Sequence, residues 1–169
     1  MIGERAAVFS SDRVYRYVLY RDLGEGEGTC LWIMLNPSTA DTLLDDPTIT
    51  RVIGFTKAWG YRYVVVVNLF AFRATEPKDM KKSIFPVGEI ASGIELNDLY
   101  IMKEAARADR IMLAYGGGGT YFNRHASVVR MLRAKRHDLY YLQLTQKGLP
   151  MHPLYRKDNL IPKLYEGAA

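Results

Sequence analysis

The chain has 169 residues, 49% of them apolar, enough for one substantial core without disulfides or metal. Its 23 basic and 18 acidic residues leave a formal charge of +5, which permits a nucleic-acid partner without demanding one. Cys30 is the only cysteine, which excludes an intramolecular disulfide framework and a thiolate metal cluster.

The opening Met1-Ile2-Gly3-Glu4-Arg5 lacks the apolar core of a signal peptide, and no apolar run reaches membrane-spanning length. A reducing, cytoplasmic setting is the expectation, with Cys30 buried and inert. Residues 14–21 alternate with tyrosines and predict a strand. The glycine-rich residues 22–28 read as a turn into a second strand over 29–35, so these two strands are expected to pair as an antiparallel hairpin. The second strand stops abruptly at Asn36-Pro37-Ser38-Thr39, which presents small polar side chains at a rigid strand end. Open α/β sheets place their ligand sites at such ends.

Asp46 is placed to cap a helix that starts at Pro47 and stops at Gly60. Residues 61–67 are β-branched with little polar alternation, the pattern of a strand covered on both faces, and the run ends at Asn68. Glu76-Pro77-Lys78-Asp79 starts a helical turn. Residues 89–108 predict a long helix with Ile90, Ile94, Leu99, Met102 and Ala106 facing inward. Residues 110–115 predict a strand, followed by Gly116-Gly117-Gly118-Gly119-Thr120 and a helix to about 135 with Ala126, Val129 and Leu132 inward. The last strand is predicted over 138–144, and Asp158 is placed to cap a short final helix. The alternation predicts a single α/β domain over 1–169: a three-layer sandwich with a mainly parallel central sheet and an N-terminal hairpin.

In such a sheet the carboxyl ends of the strands share one edge, so the loops at Asn36, Asn68 and the glycine run are expected to converge, with His152 arriving from the tail. Each amide has two readings, a turn-former bonding its own backbone or a group that orients water or reads a base edge. Among Asp41, Asp45 and Asp46 at least one is expected to be structural; Asp41 is the functional candidate, as general base or as partner of a cationic transition state. His152 lies between Pro150 and Pro153, which restrict its backbone, and an imidazole there can donate to a developing anion. Gly116 and Gly117 open either a close approach to a phosphate or ring, or a plain tight turn. Ser38, Thr39, Phe70, Tyr115, Arg51 and Arg73 complete the expected ligand-binding set, with Phe70 or Tyr115 stacking on a base and the arginines pairing with phosphates or with the acidic cluster. No metal site and no cofactor are expected.

Met34-Leu35-Asn36-Pro37-Ser38-Thr39-Ala40-Asp41, Asp46-Pro47-Thr48 with Arg51, Asn68-Leu69-Phe70-Ala71 with Arg73-Ala74-Thr75, Tyr115-Gly116 and His152-Pro153-Leu154 resemble the domain-of-unknown-function family 1643 over nearly the whole chain. The order of motifs is also distantly similar to the uracil-DNA glycosylase superfamily. That resemblance implies its fold, with Asn36 positioning an attacking water, Asn68 reading a base and His152 stabilising the departing base anion. Met34 and Leu35 stand where those enzymes carry glycine before the Asn, and the final loop reads His-Pro-Leu rather than His-Pro-Ser. The patch formed by Thr39–Asp41 and Asp46-Pro47-Thr48 has no counterpart there.

The expectation is a nucleobase or nucleotide pocket acting as an N-glycosidic-bond hydrolase on a modified base, nucleotide or DNA. The alternatives are a non-catalytic binder of the same ligands and an interaction protein of a phage or defence system.

Overall fold

The computed structural model describes residues 5–167. In chain order the elements are β1 (Arg5–Phe9), β2 (Arg16–Asp22), β3 (Thr29–Met34), α1 (Pro47–Ala58), β4 (Tyr63–Asn68), α2 (Pro77–Met80), β5 (Ile90–Ala91), β6 (Ile94–Glu95), α3 (Leu96–Ala105), β7 (Arg110–Leu113), α4 (Arg124–Ala134), β8 (Tyr140–Tyr141) and β9 (Lys163–Leu164). A 3-10 stretch, Gly117–Asn123, precedes α4. The opening residues 1–4, on which the signal-peptide expectation rests, lie outside the described residues. Among the described residues no helix is long and apolar enough to cross a membrane.

Seven strands form one sheet in the order β1-β2-β4-β3-β7-β8-β9. The centre β4-β3-β7-β8 is parallel, and the flanks β1-β2, β2-β4 and β8-β9 are antiparallel. Strand β3 is buried on both faces because its side chains alternate between two cores. Leu31 and Ile33 join Val65, Val67, Ile111 and Leu113 under α3 and α4; Cys30, Trp32 and Met34 join Val64, Val66 and Met112 under α1. Helices on both faces of a largely parallel sheet make three layers. Burial pushes the Cys30 thiol up to about 12, consistent with an inert core residue.

The sheet departs from the expected pairing at its start. Strand β2 does not pair with β3; β4 lies between them, and the hairpin that forms joins β2 to β1. The glycine-rich residues 23–28 turn around the start of β4 rather than closing a hairpin: Glu27 N–H donates to the Gly60 carbonyl and Tyr63 N–H to the Gly28 carbonyl. The geometry has a physical reason. An apolar run such as 30–34 needs cover on both faces, and the place between β4 and β7, with helices over either face, supplies it.

Helix α1 starts as its sequence indicates, with Asp46 accepting from Ile49 N–H at 2.9 Å and Gly60 at φ +81° just past the end. It docks through Trp32, whose indole donates to Thr56 Oγ1 at 2.9 Å and stacks on Trp59. The long helix expected over 89–108 is shorter. Ser92 (φ +53°) and Gly93 (φ +77°) break it into the small β5–β6 hairpin before α3. Ile90, Ile94 and Leu99 consequently face solvent, while Ile101 and Ala105 face the core. On α4, Ala126, Val129 and Leu132 are buried as expected. The last strand is shorter than 138–144, and 163–164 extend rather than form a helix capped by Asp158.

The loop that wraps β4 is sensitive at Gly26. Gly26 holds φ +94°, and a Cβ there would collide with the Gly60 carbonyl. Gly26→Ala should destabilise the protein by more than about 1 kcal/mol in urea unfolding, whereas Gly54→Ala, at an open helical position, should be neutral or stabilising.

Candidate functional site

The parallel pairing of β3 with β4 sets Met34 opposite Asn68, so both strands finish at one level. Their exits stay joined: Leu69 N–H donates to the Met34 carbonyl at 2.8 Å and Phe70 N–H to the Leu35 carbonyl at 3.0 Å. Beyond this edge lies a cavity of about 270 Å³. Its walls come from the strand ends, the start of α1, residues 74–77 and the tail at 152–154. The connections after β3 and β4 carry α1 and α3 to opposite faces of the sheet, and open α/β sheets bind ligands in the crevice where connections part in this way.

Asn36, Ser38, Asn68 and His152 all line this cavity. Asn36 spends its amide nitrogen on two carbonyls, Ala74 at 2.8 Å and Pro37 at 3.1 Å, which leaves Oδ1 as its uncommitted end. Asn68 is only 1% exposed, and its Nδ2 has no partner, while its carbonyl accepts from Asn97 Nδ2 at 2.8 Å. His152 Nδ1 accepts from Leu154 N–H at 3.2 Å, so the neutral ring carries its proton on Nε2. Burial holds its pKa below the ordinary histidine value; Asp46 opposes that shift and Arg156 adds to it. The imidazole is therefore neutral near pH 7 and presents an N–H donor.

Asp41 does not line the cavity. Its Oδ1 accepts from Leu43 N–H at 2.8 Å and Leu44 N–H at 2.9 Å, and these two bonds hold its pKa below the usual carboxylate value. The carboxylate at the cavity is Asp46, the cap of α1. The three acidic side chains of this patch thus have separate roles. Asp41 closes a turn, Asp45 pairs with buried Arg21, and Asp46 faces the cavity.

Thr39 and Arg73 line a neighbouring groove, which shares Ser38, Ala74 and Thr75 with the cavity. Phe70 and Tyr115 belong to the core, so neither is placed to stack on a ligand in the cavity. Gly116 N–H donates to the Pro150 carbonyl at 2.8 Å, and Gly117 faces a separate groove. Gly118 supports the site from behind: a Cβ there would stand 2.6 Å from Leu35 Cδ2. Arg51 pairs with Asp158, donates to the Arg156 carbonyl and lies 4.5 Å over the Phe55 ring, fastening the tail to α1. Among the described residues, no three His, Cys, Asp or Glu side chains cluster as metal ligands.

Arg16 was not a sequence candidate, yet it lines the cavity at 2% exposure. The signal was an arginine between Tyr15 and Tyr17 at the head of an apolar strand, a place where a charge needs a reason.

The fold and cavity define a three-layer α/β protein with a polar pocket at the carboxyl edge of its parallel strands. A family model described as a protein of unknown function (DUF1643) matches residues 16–154, and the chain belongs to that family. No curated protein and no solved structure matched the chain.

Asp46→Ala should lose the cap of α1, costing about 1 kcal/mol, whereas Asp46→Asn should keep most of that stability. The depressed pKa of His152 sets the sign of an acid effect. Below pH 6.5 the unfolded chain takes up a proton that the native imidazole resists, so stability falls as pH drops through the folded value; above 6.5 the term vanishes. His152→Gln should flatten this part of the stability profile, measured by denaturant unfolding between pH 5 and pH 8.

Proposed function

We propose that the cavity seats a nucleobase and that its chemistry is hydrolysis of an N-glycosidic bond, on a uracil-DNA-glycosylase-like sheet. The observation that carries this reading is the meeting, in one small cavity, of a buried amide donor on Asn68, an imidazole N–H on His152 and the Oδ1 of Asn36. At about 270 Å³ the space lies just below the usual range of ligand pockets, about 300–1,000 Å³, and suits a single ring rather than a dinucleotide.

In the proposed step a water oxygen bonds to the anomeric carbon while the carbon–nitrogen bond breaks, and its electron pair leaves with the base. Asn36 Oδ1 orients the water. Asn68 Nδ2 donates to an acceptor on the base edge, and His152 Nε2–H donates to the base as it becomes an anion. Asp46 takes the proton that the water sheds and faces the positive charge growing on the sugar. A base in duplex DNA must first flip out of the stack, at a cost of a few kcal/mol.

A second reading, binding without turnover, is favoured by the Asp46 carboxylate itself, whose two oxygens already accept from the Ile49 and Ala40 N–H groups as the cap of α1.

The test incubates the protein with nucleosides, nucleotides and natural or base-modified DNA, and measures released bases by mass spectrometry. The expected outcome is release that falls by about 100-fold or more in His152→Ala and in Asn68→Ala. Binding that depends on Asn68 without any release would establish the second reading. Neither binding nor release, with the variants altering only thermal stability, would remove the pocket reading altogether.

A further inference from the structure

Among the described residues three arginines are buried, and they are treated differently. Arg21 donates to the Asp45 carboxylate and to the carbonyls of Tyr20 and Asp41. Arg124 pairs with Asp98 and donates to the Leu69 carbonyl. Arg16, at 2% exposure, donates once, from Nη1 to the Ala40 carbonyl at 2.6 Å; its Nε is buried without a partner. Among the described residues, no carboxylate forms an ion pair with it. Asp46 stands on the same cavity, but its oxygens accept from the Ile49 and Ala40 N–H groups. A guanidinium out of water with one hydrogen bond is costly, and the interior leaves such a group only where something completes it. Burial already draws its pKa down to about 10, still charged at pH 7.

Arg16 borders the cavity that Asn68 and His152 also line. Asn68 Nδ2 is a second buried donor without a partner there. The adjoining groove adds Arg13 and Arg73, and the Nε of Arg73 is likewise buried and unpartnered. A ligand suited to these walls brings oxygen acceptors and negative charge. Guanidinium groups recognise phosphate through two parallel hydrogen bonds, and a terminal phosphoryl group carries oxygens enough for Arg16 and the nearby hydroxyls of Ser38 and Thr48.

We propose that Arg16 is the centre of a phosphate subsite, and that the pocket takes a nucleotide bearing a terminal phosphoryl group rather than a bare nucleoside. The base-seating part of this inference rests on the function proposed above; the phosphate subsite does not. A mononucleotide and the phosphorylated end of a DNA strand offer the same chemistry.

The experiment measures thermal shifts and calorimetric binding with inorganic phosphate, nucleosides, nucleoside monophosphates, and oligonucleotides with and without a 5′-phosphate. Monophosphates should bind wild-type protein more tightly than the matching nucleosides. Arg16→Met should weaken monophosphate binding by about 10–100-fold, the range of a charge-assisted hydrogen bond, and leave nucleoside binding nearly unchanged. Arg16→Lys, which keeps the cation, should fall between the two and serves as the readout if the methionine variant does not fold. Monophosphate binding unchanged in both variants, or a phosphate that adds nothing in wild type, would overturn the subsite. Phosphate bound through Arg16 with no contribution from the base would support the subsite and overturn only the nucleobase reading. Tighter binding of the 5′-phosphorylated oligonucleotide than of the monophosphate would identify the strand end as the source.

Discussion

The parallel register between β3 and β4 governs the rest of the molecule. With Met34 set opposite Asn68, two apolar strands stop at one level and two amides emerge at one edge. A slip of one residue would turn Trp32 out of the core beneath α1 and carry Asn68 away from the cavity. The hydrogen bonds from Leu69 and Phe70 back to Met34 and Leu35 extend the lock past the strands themselves. The cavity is therefore a product of sheet packing, and its precision comes from the most buried part of the chain rather than from its loops.

Helix α1 shows how one element can shape a site twice. Its cap, Asp46, forms part of the cavity wall, and a turn later Arg51 grips Arg156 and Asp158 in the tail that carries His152. The tail has little regular structure of its own, so the position of the imidazole depends on that grip and on the Leu154 N–H bonded to Nδ1. The helix is in turn held to the sheet by Trp32, Phe55 and Trp59.

Much of this organisation is legible in the sequence. The β-branched run ending at Asn68, the Asp46-Pro47 helix start and the convergence of Asn36, Ser38, Asn68 and His152 all follow from local pattern and from the geometry of parallel sheets. What is not legible depends on contacts distant in sequence. The insertion of β4 between β2 and β3 cannot be read from either strand, because adjacency in the chain suggests a hairpin as readily. Asp41 and Asp46 have the same chemistry, and only the loop fold sends one to backbone amides and the other to the cavity. Phe70 follows closely on Asn68 in sequence and Tyr115 precedes the glycine run, yet both contribute to the core. Arg16 was hidden because a strand arginine ordinarily reads as a solvent-facing residue.

The close seating of Gly118 against Leu35 ties together two distant parts of the chain. The loop after β7 passes so close to the residue before Asn36 that a Cβ at 118 would stand 2.6 Å from Leu35 Cδ2. Positions 35 and 118 are thus coupled in volume: a side chain at 118 requires the methyl ends of the half-buried Leu35 to shift, or a smaller residue at 35. Growth at 118 is therefore felt in the pocket wall itself, because Leu35 is one of its lining residues.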